Sequence, residues 1–184
     1  MSNEIATAPD GEILPQEHAY ITIENQAHIS EMIRQLSATG STQVALITVH
    51  LSYKSENKHE QSLQAEHVSE SSAYLLQNIR SMVRKTDHVF LHQHDLYFVL
   101  PGANLRGAMI VEERLWEALL WRAHNMSEQQ IPRPLTITIG HGAYPDPQAS
   151  PEALLKAAAE INKRFNERAE RASPRGPKDR KSVV

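Results

Sequence analysis

The stretch from Arg84 to Pro101 constrains this 184-residue chain more than any other. Val89 and Leu91, then Tyr97 to Leu100, are apolar or aromatic, and the polar His92 to Asp95 stand between the two runs. Two short runs suited to a pleated, half-buried surface and split by a polar turn predict a β-hairpin. The flanking pattern completes the order. A helix ending near Arg84 precedes the hairpin, a helix beginning near Asn104 follows it, and a further strand with its own turn lies at Leu135 to Ile139. The element order is strand, helix, hairpin, helix, strand, helix.

Upstream, Ile29, Met32, Ile33 and Leu36 recur at helical spacing and predict an amphipathic helix from Asn25 to Ser37. Val44 to Leu51 is nearly continuous apolar, β-branched sequence, the pattern of a central strand covered on both faces. Lys54 to Glu66 is a charged loop. Val68, Leu75, Leu76, Ile79 and Met82 mark a helix from His67 to Val83, with Arg80 and Arg84 at its C-terminal end, where the helix dipole favours cations. After the hairpin, Ala108, Val111, Leu115, Ala118 and Leu119 form an inward stripe, and Glu112, Glu113, Arg114 and Glu117 are assigned to the outer side. Trp116 and Trp121 flank that stripe, suited to covering a core edge or joining a subunit contact. Ser150, Pro151 and Glu152 supply an N-cap, a proline at the first helical position and an acid in the first turn. Leu154, Ala158, Ile161 and Phe165 then line one face of a last helix.

Length and apolar content fit one domain over residues 21–171, between an unfolded leader at 1–20 and a disordered basic tail at 172–184. A formal charge of −3 offers no broad footprint for nucleic acid or an anionic membrane, so neither is expected as a partner. The absence of cysteine excludes disulfides, thiolate zinc sites and thiol nucleophiles. No stretch approaches the roughly 20 apolar residues of a membrane span, and the cytoplasm is the expected location. Ten histidines make the net charge rise as pH falls through the imidazole range.

Arg84 and Asp87 form an Arg-x-x-Asp pair, Gln93-His94-Asp95-Leu96-Tyr97 follow after a five-residue strand, and the next strand closes on Leu100-Pro101. That frame resembles the GGDEF family of diguanylate cyclases, with Gln93 to Tyr97 on the five signature positions. Thr136 to Gly140 followed by Ala143-Tyr144-Pro145 resembles the family's late strand and turn, and Ser150 to Lys156 the start of its last helix. Near the first helix, Ile21, Ile23 and Asn25 keep the family's spacing without its Asp, Gly and Arg. The resemblance implies an α/β palm fold of the nucleotide-cyclase type, with a mainly antiparallel central sheet flanked by helices.

The resemblance also implies where chemistry is missing. An active cyclase carries two metal-holding aspartates at the end of its central strand; a gapless register puts Val49 and Leu51 there, and one deletion puts His50 and Ser52. Gln93 and His94 replace the two glycines, Asp95 keeps one metal-binding carboxylate, and Leu96 replaces the next acid. Asn57 meets the base-recognising position in the gapless register, but the Gly-His-x-x-Gly-Asp that should follow is absent. In the last helix Asn166 stands where a phosphate-binding lysine would be. One aspartate cannot assemble two magnesium ions, so a degenerate, non-enzymatic signalling module without a cofactor is expected.

In the family the Arg-x-x-Asp pair binds cyclic di-GMP at an inhibitory site, which makes Arg84 and Asp87 the candidate ligand residues; a plain ion pair at the helix exit is the alternative. A homodimer or protein partner is the other expected mode of action. Two further classes stay open: a metal-dependent enzyme or metal binder using His92, His94, Asp95 and His50, since residues two apart on a strand share a face, and a divergent active cyclase.

Overall fold

Val44–Tyr53 form β2, the central strand of a six-stranded sheet in the computed structural model, which describes residues 20–53, 75, 79–125 and 135–166. The other described elements are β1 (Ile21–Thr22), α1 (Ala27–Ala38), β3 (His88–His92), β4 (Asp95–Pro101), α2 (Leu105–Asn125), β5 (Leu135–Tyr144), α3 (Pro151–Ala158) and β6 (Lys163–Asn166). The strand order is β1-β3-β4-β2-β5-β6, with only the β1–β3 pair parallel. This is the mainly antiparallel, helix-flanked α/β sheet expected from the sequence.

Both faces of β2 are buried from Val44 to Val49, where both carry mostly apolar side chains. Ala45, Ile47, Val49 and Leu51 pack on one side with Leu115 and Leu119 of α2. Val44 and Leu46 pack on the other with Ile29 and Ile33 of α1 and Leu154 of α3. The hairpin forms where predicted and is tighter than the polar stretch suggests: His92 pairs with Asp95 across the strands, leaving Gln93 and His94 as the turn. Gln93 has φ 57°, the left-handed region that costs a residue with a Cβ roughly 1–2 kcal/mol.

Several expectations are corrected. The last helix stops at Ala158, and Asn162 N donates to Ile139 O to start β6, so Phe165 is buried by strand alternation and Ile161 is exposed. Asn166 therefore lies in a strand, not on a helix. β5 runs on through Gly140 to Tyr144. A Cβ on Gly140 would stand 2.1 Å from Glu160 O and 2.4 Å from Ala158 O, so glycine there admits the chain leaving α3. Glu112 is buried on the inner side of α2, a position its spacing from Ala108 and Leu115 already implies. Trp116 packs against the core and Trp121 is 67% exposed.

Of the helix expected from His67 to Val83, Leu75 is helical and buried, and Ile79–Met82 form a 3-10 turn. Val83 follows as a bend; residues 67–74 and 76–78 of that helix, the leader at 1–19, the Lys54 to Glu66 loop with Asn57, and the tail lie outside the described residues. No helix among the described residues is long and apolar enough to cross a membrane.

Candidate functional site

Arg84 and Asp87 meet in the turn that enters β3. Asp87 is buried; its Oδ2 accepts from Arg84 N at 2.8 Å and its Oδ1 from Arg84 Nη2 at 3.1 Å, while Asp87 N donates to Arg84 O at 3.0 Å. Arg80 closes the turn from below. Its Nη1 donates to Arg84 O at 2.9 Å, and its Nη2 to Lys85 O at 3.1 Å and Asp87 O at 2.9 Å. The Arg84 side chain also donates to Pro101 O at 2.8 Å, yet remains 60% exposed. The corner is thus a rigid backbone loop that presents one accessible guanidinium.

That guanidinium borders a cleft of about 410 Å³, whose wall includes Gln43, Leu100, Asn104, Ile110 and Arg114. Ligand pockets fall in the same size range, about 300–1,000 Å³. Two cations, two side-chain amides and an apolar floor suit a planar anionic ligand, because a guanidinium can both grip phosphate and stack on a base.

The other end of the hairpin carries the remaining candidates. His50 faces Asp95 in the β2–β4 register, and His50 Nδ1 lies 2.6 Å from Asp95 Oδ1. Val49 and Leu51 are buried in the core on the opposite face of β2 from His50. Leu51 N donates to His94 O at 3.0 Å and pins the turn to β2. A hollow of about 230 Å³ beside it is lined by Gln26, Thr48, His50, Asp95, Tyr97 and Thr138, among others. Burial pushes the Tyr97 phenol upward, against the opposing effect of the Gln26 amide bonded to it.

Residues 22–171 match the family model of the diguanylate cyclase GGDEF domain. The chain belongs to the GGDEF family. Among solved GGDEF domains, that of DgcB from Caulobacter crescentus, in complex with c-di-GMP, shares its fold: it is 11% identical over 86% of this chain and 85% of that one, with a TM-score of 0.54. Those of TpbB (YfiN) and FimX, both from Pseudomonas aeruginosa, are 18% and 15% identical, over 74% and 83% of this chain and 80% and 88% of theirs, with TM-scores of 0.49 and 0.47. No curated protein matches.

The described residues at the hairpin end of this GGDEF domain do not fit magnesium. Magnesium takes a near-octahedral set of oxygen ligands including carboxylates. Here the carboxylate is Asp95, already bonded to an imidazole, and Leu96 is turned into the core. The histidine cluster does not assemble either. His94 sits exposed in the turn, where strand alternation no longer applies, and His92 Nδ1 is buried without a hydrogen-bond partner among the described residues. No group of three or more His, Asp or Glu able to hold a metal occurs among the described residues.

Arg80 supports the corner in a way the sequence pattern does not show. Its position one helical turn before Arg84 signalled proximity, but its bonds to three carbonyls of the turn depend on the chain reversing at Lys85. Gln43, Asn104 and Arg114 carry no local signal; the sheet and α2 bring them to the cleft.

Proposed function

We propose that this GGDEF-domain signalling module is non-enzymatic and receives cyclic di-GMP at the Arg84–Asp87 corner. The observation that carries the reading is the exposed Arg84 guanidinium, held on a pre-formed turn beside the 410 Å³ cleft. A pre-formed turn lowers the ordering cost of binding. Asp87 aims the guanidinium and anchors the backbone, and Arg84 exchanges its contacts with Asp87 and Pro101 for a guanine edge or a phosphate. The family relationship supports the same ligand class, and the solved DgcB domain is a c-di-GMP complex.

The opposite end of the hairpin supports the absence of turnover. Side chains on Gln93 and His94 take the space that glycine would leave for a nucleotide, and the His50–Asp95 pair replaces a set of metal-binding carboxylates.

Isothermal titration calorimetry of cyclic di-GMP into the full chain tests the binding. Micromolar or tighter affinity is expected, and Arg84→Ala should weaken it by roughly 10–150-fold, the worth of one charged hydrogen-bonding group. No heat with the wild type, or equal affinity in the variant, overturns the site assignment and leaves the pair as a structural ion bridge. Magnesium-dependent turnover of GTP by the same preparation overturns the non-enzymatic half of the proposal.

A further inference from the structure

We propose that Gln43 selects guanine over adenine at the cleft, by accepting a hydrogen bond from the Watson–Crick edge of a bound base. The inference rests on the reading of the Arg84–Asp87 corner as a cyclic di-GMP site and assigns the residue that sharpens its choice of base. Guanine offers the acceptors O6 and N7 and, on its other side, the donors N1–H and N2–H, whereas adenine carries an acceptor at N1 and an amino group at N6. A wall of donors alone can meet guanine O6 and N7. Reading the N1–H and N2–H side takes an acceptor.

Three side chains on the cleft wall can accept a hydrogen bond: Gln43, Asp87 and Asn104. Asp87 is 3% exposed and gives one oxygen to Arg84 Nη2 and the other to Arg84 N. Asn104 Oδ1 accepts from Gly107 N at 2.9 Å in the first turn of α2, which leaves its amide nitrogen, a donor, as the free end. Gln43 is the reverse case. Its Nε2 lies 3.4 Å from Gly102 O, an atom that can only accept, so the amide is fixed with its nitrogen on that side and Oε1 has no partner among the described residues. The backbone holds the residue in place, because Gly102 N donates to Gln43 O at 2.7 Å just beyond the Val44–Pro101 pair of β2 and β4. Pro101 O, at the same strand end, takes the Arg84 guanidinium at 2.8 Å. Arg84 and Gln43 therefore flank the end of β4, one bringing donors and the other an acceptor. Guanine satisfies both, with O6 and N7 toward the guanidinium and N1–H and N2–H toward Oε1. Adenine sets its N1 acceptor against Oε1 and its N6 amino group against the guanidinium, and polar groups left unpaired in this way are what reject a wrong ligand.

Titration calorimetry of cyclic di-GMP and of its adenine counterpart, cyclic di-AMP, into the full chain tests the assignment. The wild type should prefer the guanine dinucleotide by about 100-fold. Gln43→Leu, which keeps the size and removes the acceptor, should weaken cyclic di-GMP about tenfold and leave cyclic di-AMP unchanged, so that the preference falls about tenfold. Gln43→Glu keeps an acceptor; its charge should weaken both dinucleotides while the preference stays within about threefold of wild type. Gln43 is partly exposed, and both variants should leave the circular dichroism spectrum unchanged. An unchanged preference in Gln43→Leu, while Arg84→Ala still weakens cyclic di-GMP, overturns the Gln43 assignment and leaves the receptor reading standing. So does a Gln43→Glu variant as unselective as Gln43→Leu, which would mark a packing role. A wild type that binds neither dinucleotide overturns the receptor reading and the Gln43 assignment with it.

Discussion

Glu112 lies on the inward stripe of α2, where Asn162 Nδ2 donates to Oε1 at 2.9 Å and to Oε2 at 3.2 Å. His141 Nδ1 stands 3.0 Å from Oε1 but is poorly aligned, so it makes no well-formed hydrogen bond there. A carboxylate removed from water costs several kcal/mol unless its oxygens are satisfied, and here the amide of Asn162 does most of that. The cluster joins α2, β5 and the link between α3 and β6. Glu112→Ala removes the acceptor of the Asn162 amide and leaves a cavity on the buried side of α2, and should destabilise the domain by roughly 2–3 kcal/mol in urea unfolding. Glu112→Gln keeps the shape and one acceptor and should cost under about 1.5 kcal/mol. An alanine variant as stable as wild type would show that the cluster holds nothing in place.

At the scale of elements, α1 and α3 lie side by side on one face of the sheet and are tied by Arg34 and Glu152. Glu152 is in the first turn of α3, whose N-cap Ser150 accepts from Ala153 N at 3.1 Å. The Arg34 guanidinium holds the Glu152 carboxyl below its ordinary range. A carboxyl whose folded-state pKa is depressed contributes stability above its unfolded pKa, and that contribution fades as pH falls through the folded value. The pair is solvent-exposed, so its contribution is small and screened by salt. The stability difference between wild type and Glu152→Gln should therefore favour wild type at neutral pH, shrink in high salt, and close as pH drops below the ordinary carboxylate range. A difference that persists in acid would mean that Glu152 acts through the helix itself and not through Arg34.

Taken as a whole molecule, the candidate cleft draws on separate parts of the chain: the turn at Arg84, Gln43 before β2, and Asn104 and Arg114 around α2. No unfolded chain presents these together, so a ligand of the cleft binds the native state alone. Cyclic di-GMP at about 100 times its dissociation constant should then stabilise the domain by about 2.7 kcal/mol. For a domain of this size that corresponds to a rise in Tm of roughly 5–10 °C, and Arg84→Ala at the same ligand concentration should show a much smaller rise. A shift of equal size in both proteins would place the ligand elsewhere on the fold.

Local pattern determined the hairpin, the two-faced central strand, the amphipathic α1 and the capped start of α3, because hydrophobic periodicity and capping act over a few residues. The Arg-x-x-Asp frame was equally legible, since its meaning lies in its distance along the chain from the hairpin turn. The end of the last helix was not. Ala158 to Phe165 offers apolar residues compatible with a helix, and it is the open edge of β5 at Ile139 that draws Asn162 and its successors into a strand. Charge places Glu112 on the solvent side, and it is the Asn162 amide, brought in from a distant segment, that makes its burial tolerable. That His50 and not Val49 stands beside Asp95 follows from the pairing of β2 with β4. Strand register depends on contacts between residues some 45 positions apart, and a one-residue slip exchanges the two faces of the sheet.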